Sequence, residues 1–145
     1  MDGKLSTYRK AETLGKSQLD LILQVYDGAI TSFRAASDSY KNDDSKAGYQ
    51  HLQRAKRLVT HLYTTLNPEG GEEIAENLGK LYAFVINQIN VAEATKDLSV
   101  IDDNITILSN VRNGWLELKQ QETQAAQQTL QSLPAGKSGQ FAGSA

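Results

Sequence analysis

At 145 residues the chain is long enough for one compact domain with a single core and too short for two. Its 17 acidic and 15 basic residues leave a net charge of −2, which removes the electrostatic case for nucleic acid or an anionic membrane as the main partner. With no cysteine there is no disulfide, thiolate metal site or cysteine nucleophile, a composition compatible with a reducing compartment.

Residues 1–16 are mixed and polar, with Met1, Leu5, Tyr8 and Leu14 as their sizeable apolar groups, and read as a mobile or loosely docked lead segment. They hold no apolar signal core. The longest apolar run in the chain, Leu81 to Ile86, falls far short of a membrane span, so a cytoplasmic location without membrane insertion is expected. Ser17 followed by Asp20 has the spacing of a capping box and opens a first helix expected over residues 18–41. Leu19, Ile22, Leu23, Tyr26, Ile30 and Phe33 recur at spacings of three and four, one apolar face of that helix. Gly28 sits inside this run at a cost of roughly 0.5–1 kcal/mol relative to Ala. The expectation is that another backbone crosses the helix at that point.

Asn42-Asp43-Asp44-Ser45 forms a turn that also supplies the next cap, and Leu52, Ala55, Val59, Leu62 and Leu66 mark a second helix stopped by Asn67-Pro68. Glu69-Gly70-Gly71 completes a connector. Glu72 and Glu73 then place negative charge in the first turn of a third helix, where its dipole favours it. Ile74, Leu78, Leu81, Val85 and Ala92 form the third helix's primary stripe, which should end near Lys96. After a polar break at Asp97 to Ser99, Ile101, Ile105, Leu108 and Trp115 define a fourth helix, expected to fray within the Gln- and Ala-rich stretch 120–131. Residues 134–145 have the Gly-rich, small-residue composition of a disordered tail. Helices of this length span about 30–37 Å. Short connectors make sequential neighbours antiparallel, which predicts an all-α, up-down-up-down four-helix bundle over residues 17–133.

Chemistry is hard to place on this pattern. His51 and His61 lie about 15 Å apart along one helix and belong to no Glu-x-x-His pair, so no metal site is expected. His51-Leu52-Gln53-Arg54-Ala55 is loosely similar to the His-x-Leu-Lys-Gly signature of histidine phosphotransfer bundles. Gln53 and Ala55 depart from it where the Leu and the small Gly belong. Glu69-Gly70-Gly71 lacks the preceding strand and the following Lys-Ser/Thr of a phosphate-binding loop. The carboxylate pairs Asp43-Asp44, Glu72-Glu73 and Asp102-Asp103 all read as helix starts. The expectation is a protein with no catalytic residue and no cofactor.

Apolar surface, by contrast, exceeds what one core needs. Tyr82, Ile86 and Ile89 form a second stripe on helix three, Ile107, Val111 and Leu118 do so on helix four, and Leu58 and Tyr63 add to helix two. Part of this widens the buried faces. The remainder predicts an exposed groove suited to an amphipathic segment of a partner or to a second copy of the chain.

The pattern resembles that of the flagellar secretion chaperones called FliS. The elements carrying the likeness are Tyr8, the run Leu19-Asp-Leu-Ile-Leu-Gln-Val-Tyr-Asp-Gly-Ala-Ile30, and Leu66-Asn-Pro-Glu-Gly-Gly-Glu-Glu-Ile-Ala-Glu-Asn-Leu78, followed by Leu81-Tyr82, Val111-Arg112 and Trp115. The resemblance implies a non-enzymatic cytoplasmic chaperone that binds the C-terminal segment of flagellin, blocks its premature polymerisation and delivers it to the flagellar type III export gate, with other flagellar regulators as further candidate partners. Flagellin contact is expected at Tyr8, Leu58, Leu62, Tyr82, Ile86, Ile89, Ile107 and Val111. A structural role is expected for Tyr26, Asp27, Gly28, Ile30, Gly70, Gly71 and Trp115. The resemblance also implies that the segment around Tyr8 folds back over the groove as a displaceable plug. Lys16-Ser17-Gln18 stands where the family often has Pro, and the Gln-Ala extension and tail run past the family pattern.

Overall fold

The computed structural model describes residues 18–66 and 71–132, and these form helices α1 Gln18–Lys41, α2 Ser45–Thr64, α3 Glu72–Thr95 and α4 Leu98–Ser132. The expectations for Tyr8 and the lead segment, for Ser17, for the Pro68 stop and Gly70, and for the tail from residue 134 lie outside the described residues. Among the described residues there is no strand, and no helix is long and apolar enough to cross a membrane.

Cross-helix contacts fix the directions. Asp20 meets Lys119 and Asp27 meets Arg112, so numbers rise along α1 as they fall along α4. The same inverse pairing joins α2 to α3 through Gln53 and Lys56 with Glu93 at one end and Leu66 beside Gly79 at the other. α1 packs on α2 and α4, and α3 packs on the same two, which closes an antiparallel four-helix bundle. The α1–α2 seam is the most extensive and the α3–α4 seam the least.

Each connector has its own stop signal. Asp44 caps α2, its carboxylate accepting from the Ala47 N–H at 3.1 Å. α3 ends on Lys96 in the left-handed conformation (φ 56°), its N–H donating to Ala92 O at 2.8 Å. Asp97 caps α4 by accepting from the Ser99 N–H at 2.9 Å and the Ser99 hydroxyl at 2.7 Å. Those bonds hold its carboxyl below the usual range. The start of α4 is therefore set by Asp97, and Asp102-Asp103 lie a turn inside the helix rather than at its start. α4 also continues as helix through the Gln-Ala stretch to Ser132, with residues 120–132 exposed. Ala, Gln, Leu and Glu are good helix formers, which accounts for helix without a packing face.

The core is Tyr26, Ala29, Ile30, Phe33 and Ala36 from α1, Leu52, Ala55, Val59 and Leu62 from α2, Tyr82, Val85, Ile89 and Ala92 from α3, and Ile101 and Leu108 from α4. Each large member contributes about 1.5–3 kcal/mol by burial. α1 and α2 approach closely because small residues line their seam, and Gly28 takes part in a way the sequence did not reveal. No backbone crosses there. A Cβ at Gly28 would lie 3.1 Å from Leu58 Cδ1, so the neighbour is a side chain of α2. The Arg54 guanidinium crosses the same spot, donating to Gly28 O at 3.3 Å and to Ser32 Oγ at 2.7 Å. Gly48 on α2 plays the equivalent part under the Tyr40 ring, whose atoms would stand 2.7 Å from an added Cβ.

The left-handed Lys96 gives a direct test of the α3 stop. Lys96→Gly removes the Cβ penalty at that φ and should raise unfolding stability by about 0.5–1 kcal/mol. Urea denaturation should show a higher midpoint with an unchanged slope.

Candidate functional site

The orientation of α3 determines which of its residues face solvent, and a buried polar cluster sets that orientation. Tyr26 of α1 and Tyr82 of α3 share a hydrogen bond through their hydroxyls, and the Trp115 indole N–H of α4 donates to Tyr26 Oη at 3.2 Å. The two phenol rings lie 6.3 Å apart, tilted by 55°. Burial raises the pKa of both, with the neighbouring Tyr26 phenol adding to the effect at Tyr82 and hydrogen bonds partly offsetting it at Tyr26. Two hydroxyls and an indole N–H thus satisfy one another across the bundle, where an unpaired one would cost on the order of 1–3 kcal/mol.

With Tyr82, Val85, Ile89 and Ala92 turned inward, α3 presents a different face to each side. Toward α2, Tyr63, Ala83, Ile86, Asn87 and Asn90 line a groove of about 280 Å³. Toward α4, Phe84, Gln88, Asp103, Asn104, Thr106 and Ile107 line another of about 280 Å³. Phe84 is 48% exposed, Tyr63 47% and Val91 37%, so the outer surface of α3 is apolar and accessible. A third depression, between α1 and α4, is lined by Arg34, Ser37, Asp38, Lys41, Asp102, Ile105 and Thr106 and carries charges of both signs.

These positions redistribute the residues expected at the binding surface. Ile86 and Ile107 each line a groove and lie on opposite sides of α3. Val111 is half-buried against the core. Leu58 packs beneath Gly28 on the α1–α2 seam, apart from the α3 grooves. Leu62, Tyr82 and Ile89 are corrected: all three are buried, at 6%, 2% and 0% exposure. The inward stripe of α3 is Tyr82, Val85, Ile89 and Ala92, with Leu78 and Leu81 only partly buried at its edge and Ile74 exposed. Phe84 and Val91 escaped the sequence reading. Their signal was a third stripe, Phe84, Gln88 and Val91, at the same helical spacing.

Asn104 also escaped it. This residue is fully buried among the inward positions of α4, and neither its Oδ1 nor its Nδ2 has a hydrogen-bond partner; Ser37 Oγ is likewise buried and unpaired. A buried carboxamide left this way costs on the order of 1–3 kcal/mol. Among the described residues no group of three or more His, Asp or Glu stands close enough together to hold a metal ion.

The family model described as flagellar protein FliS matches residues 1–122. This chain belongs to the FliS family. Relatives named flagellar secretion chaperone FliS include that of Vibrio cholerae, 27% identical over 119 residues that cover 79% of this chain and 88% of the relative. That of Bacillus subtilis is 23% identical over 103 residues, covering 71% and 76%. A crystal structure of a bacterial flagellar chaperone superposes with a TM-score of 0.70 at 18% identity, over 82% of this chain and 97% of that one, so the fold is shared. The segments that carried the likeness to FliS meet in space: Trp115 bonds Tyr26, and Arg112 Nε pairs with Asp27 Oδ1 at 2.5 Å, each across more than 80 residues of chain. Asp27 is half exposed, so that ion pair sets register and adds little stability.

The phenol cluster predicts an alkaline weakness. Tyrosines in the unfolded chain ionise near pH 10, whereas folded Tyr26 and Tyr82 keep their protons to higher pH. Above pH 10 the folded state therefore holds protons that the unfolded state has released, and stability falls as pH rises. Tyr26→Phe should flatten that decline and, at neutral pH, cost about 1–3 kcal/mol by removing the hydroxyl that both Tyr82 Oη and the Trp115 N–H bond in the folded state. Tyr82→Phe should cost less, since Trp115 keeps its acceptor. Denaturation midpoints from pH 7 to 11 for the two variants check both statements.

Proposed function

We propose that this FliS-family chain is a non-catalytic cytoplasmic chaperone whose ligand is the C-terminal segment of flagellin, held so that it neither polymerises early nor loses competence for the flagellar type III export gate. The observation that carries this reading is the pair of apolar grooves flanking α3, on a chain whose relatives are named flagellar secretion chaperones. A groove on either side of one exposed helix suits a ligand that wraps, because successive parts of it find apolar contact on both sides.

Ordering a flexible segment costs about 1–2 kcal/mol per residue in backbone entropy. Apolar burial returns about 25 cal/mol per Å², so a long segment needs a repeated, extended groove rather than one deep pocket. Tyr63, Ile86, Phe84, Val91 and Ile107 supply that kind of surface. No nucleotide or metal enters the scheme: capture by burial and release at the export machinery need neither.

Isothermal titration with a peptide spanning the C-terminal segment of the cognate flagellin should give a tight complex with a large negative heat-capacity change, the mark of coupled folding onto apolar surface. Absence of heat, with no complex by size-exclusion chromatography, would overturn the reading. Ile86→Lys should leave helical content unchanged and weaken binding by about tenfold or more, about 1.4 kcal/mol. Ile89→Lys should instead unfold the bundle, because it buries an unpaired charge in the core.

A further inference from the structure

Asn104 stands out because nothing in the bundle requires it. Among the described residues, Asn104, Ser32 and Ser37 are the buried polar side chains outside the tyrosine cluster, and Ser32 donates to Gly28 O at 2.8 Å. Asn104 lies between Ile101 and Leu108 on the inward stripe of α4, where its buried neighbours along the helix are both apolar. Its carboxamide carries a donor and an acceptor, both unpaired, and the residue lines the α3–α4 groove together with Phe84, Gln88, Asp103, Thr106 and Ile107. That groove lies on the least extensive of the four helix–helix seams.

We infer that Asn104 is the polar recognition point of the α3–α4 groove and takes the side-chain carboxamide of an Asn or Gln in the bound segment. The inference rests on the proposed ligand-binding role of the grooves and names what one of them selects. Complementarity points to an amide. A carboxamide has two N–H donors and a carbonyl acceptor, and a second carboxamide meets one N–H and the C=O together in a paired two-bond contact, which a carboxylate, an acceptor only, cannot make and a single hydroxyl oxygen makes with poorer geometry. Depth points to a side chain. The Asn104 polar atoms are closed to solvent, so a ligand backbone lying in the groove stays too far out, while a Gln or Asn side chain can project inward past the groove lining to reach them. The apolar walls at Phe84 and Ile107 then exclude water from the pair, where a hydrogen bond between amides is stronger than in water. A defect in the free bundle becomes a contact in the complex, so the site rejects a segment with an apolar residue at that register.

The test is a double-mutant cycle. Asn104→Leu should raise the melting temperature of the free protein and still weaken binding of the flagellin C-terminal peptide by at least tenfold. Replacing each Asn and Gln of the peptide in turn by Leu or Met should identify one position whose loss weakens binding to the parent protein and leaves binding to Asn104→Leu unchanged. Equal or tighter binding by Asn104→Leu would overturn the inference, as would a weakening that couples to no peptide side chain, which would assign the contact to ligand backbone. In the parent protein, the Asn104 side-chain NH₂ resonances should shift downfield when peptide is added; unshifted resonances in a saturated complex would also overturn it. Failure of the parent protein to bind the peptide at all would instead remove the flagellin reading on which the inference stands.

Discussion

The contact between the Tyr26 and Tyr82 hydroxyls governs the rest of this structure. α1 and α3 occupy opposite corners of the bundle, and the phenols join them through its centre. A buried hydroxyl tolerates few alternatives, since turning Tyr82 away would break the hydroxyl–hydroxyl bond and leave Tyr26 held by the Trp115 indole N–H alone. Apolar packing alone leaves a helix with several nearly equivalent rotations. The polar cluster selects one of them. Once Tyr82 points inward, Ile86 must face α2 and Phe84 must face α4, and the two grooves follow from that geometry.

The four seams differ in a way that divides labour. Where α1 meets α2, Ala29, Ala36, Ala55, Gly28 and Gly48 allow close approach, and Arg54 and Tyr40 close over the glycines. Ion pairs Asp27–Arg112 and Asp20–Lys119 hold α4 in register along α1. Among the described residues no ion pair joins α3 to α4. The outer residues of α3 are apolar and exposed, and α4 carries a buried amide with no partner. Close small-residue packing and cross-helix ion pairs thus gather on α1, and exposed apolar and unpaired polar groups on α3 and the first half of α4.

Much of the architecture was legible in the sequence. The spacing of Leu23, Tyr26, Ile30 and Phe33, and of Leu52, Ala55, Val59 and Leu62, located the cores of α1 and α2, and the helix ends at Lys41 and Thr95 follow from turn and capping residues. What failed was the phase of α3. Tyr82 and Ile89 read as a second stripe because a tyrosine hydroxyl belongs inside only if a partner exists, and that partner, Tyr26, lies 56 residues away. Periodicity cannot supply such a partner. Asn104 was invisible for the opposite reason: an amide in an apolar stripe looks like an interruption, and its full burial without a partner depends on how the helices pack. Gly28 was correctly singled out as a close approach, yet the approaching group is a leucine side chain and a guanidinium rather than a backbone.

Methyl chemical-shift mapping of the labelled protein during titration with the flagellin C-terminal peptide tests the central claim, that α3 is held by the phenol cluster so that its two outer faces form the ligand site. The account predicts large shifts at Ile86, Val91 and Ile107, with Leu52 and Val59 in the α2 core unmoved. Shifts centred on Leu52 and Val59, with Ile86 and Ile107 unchanged, would contradict it.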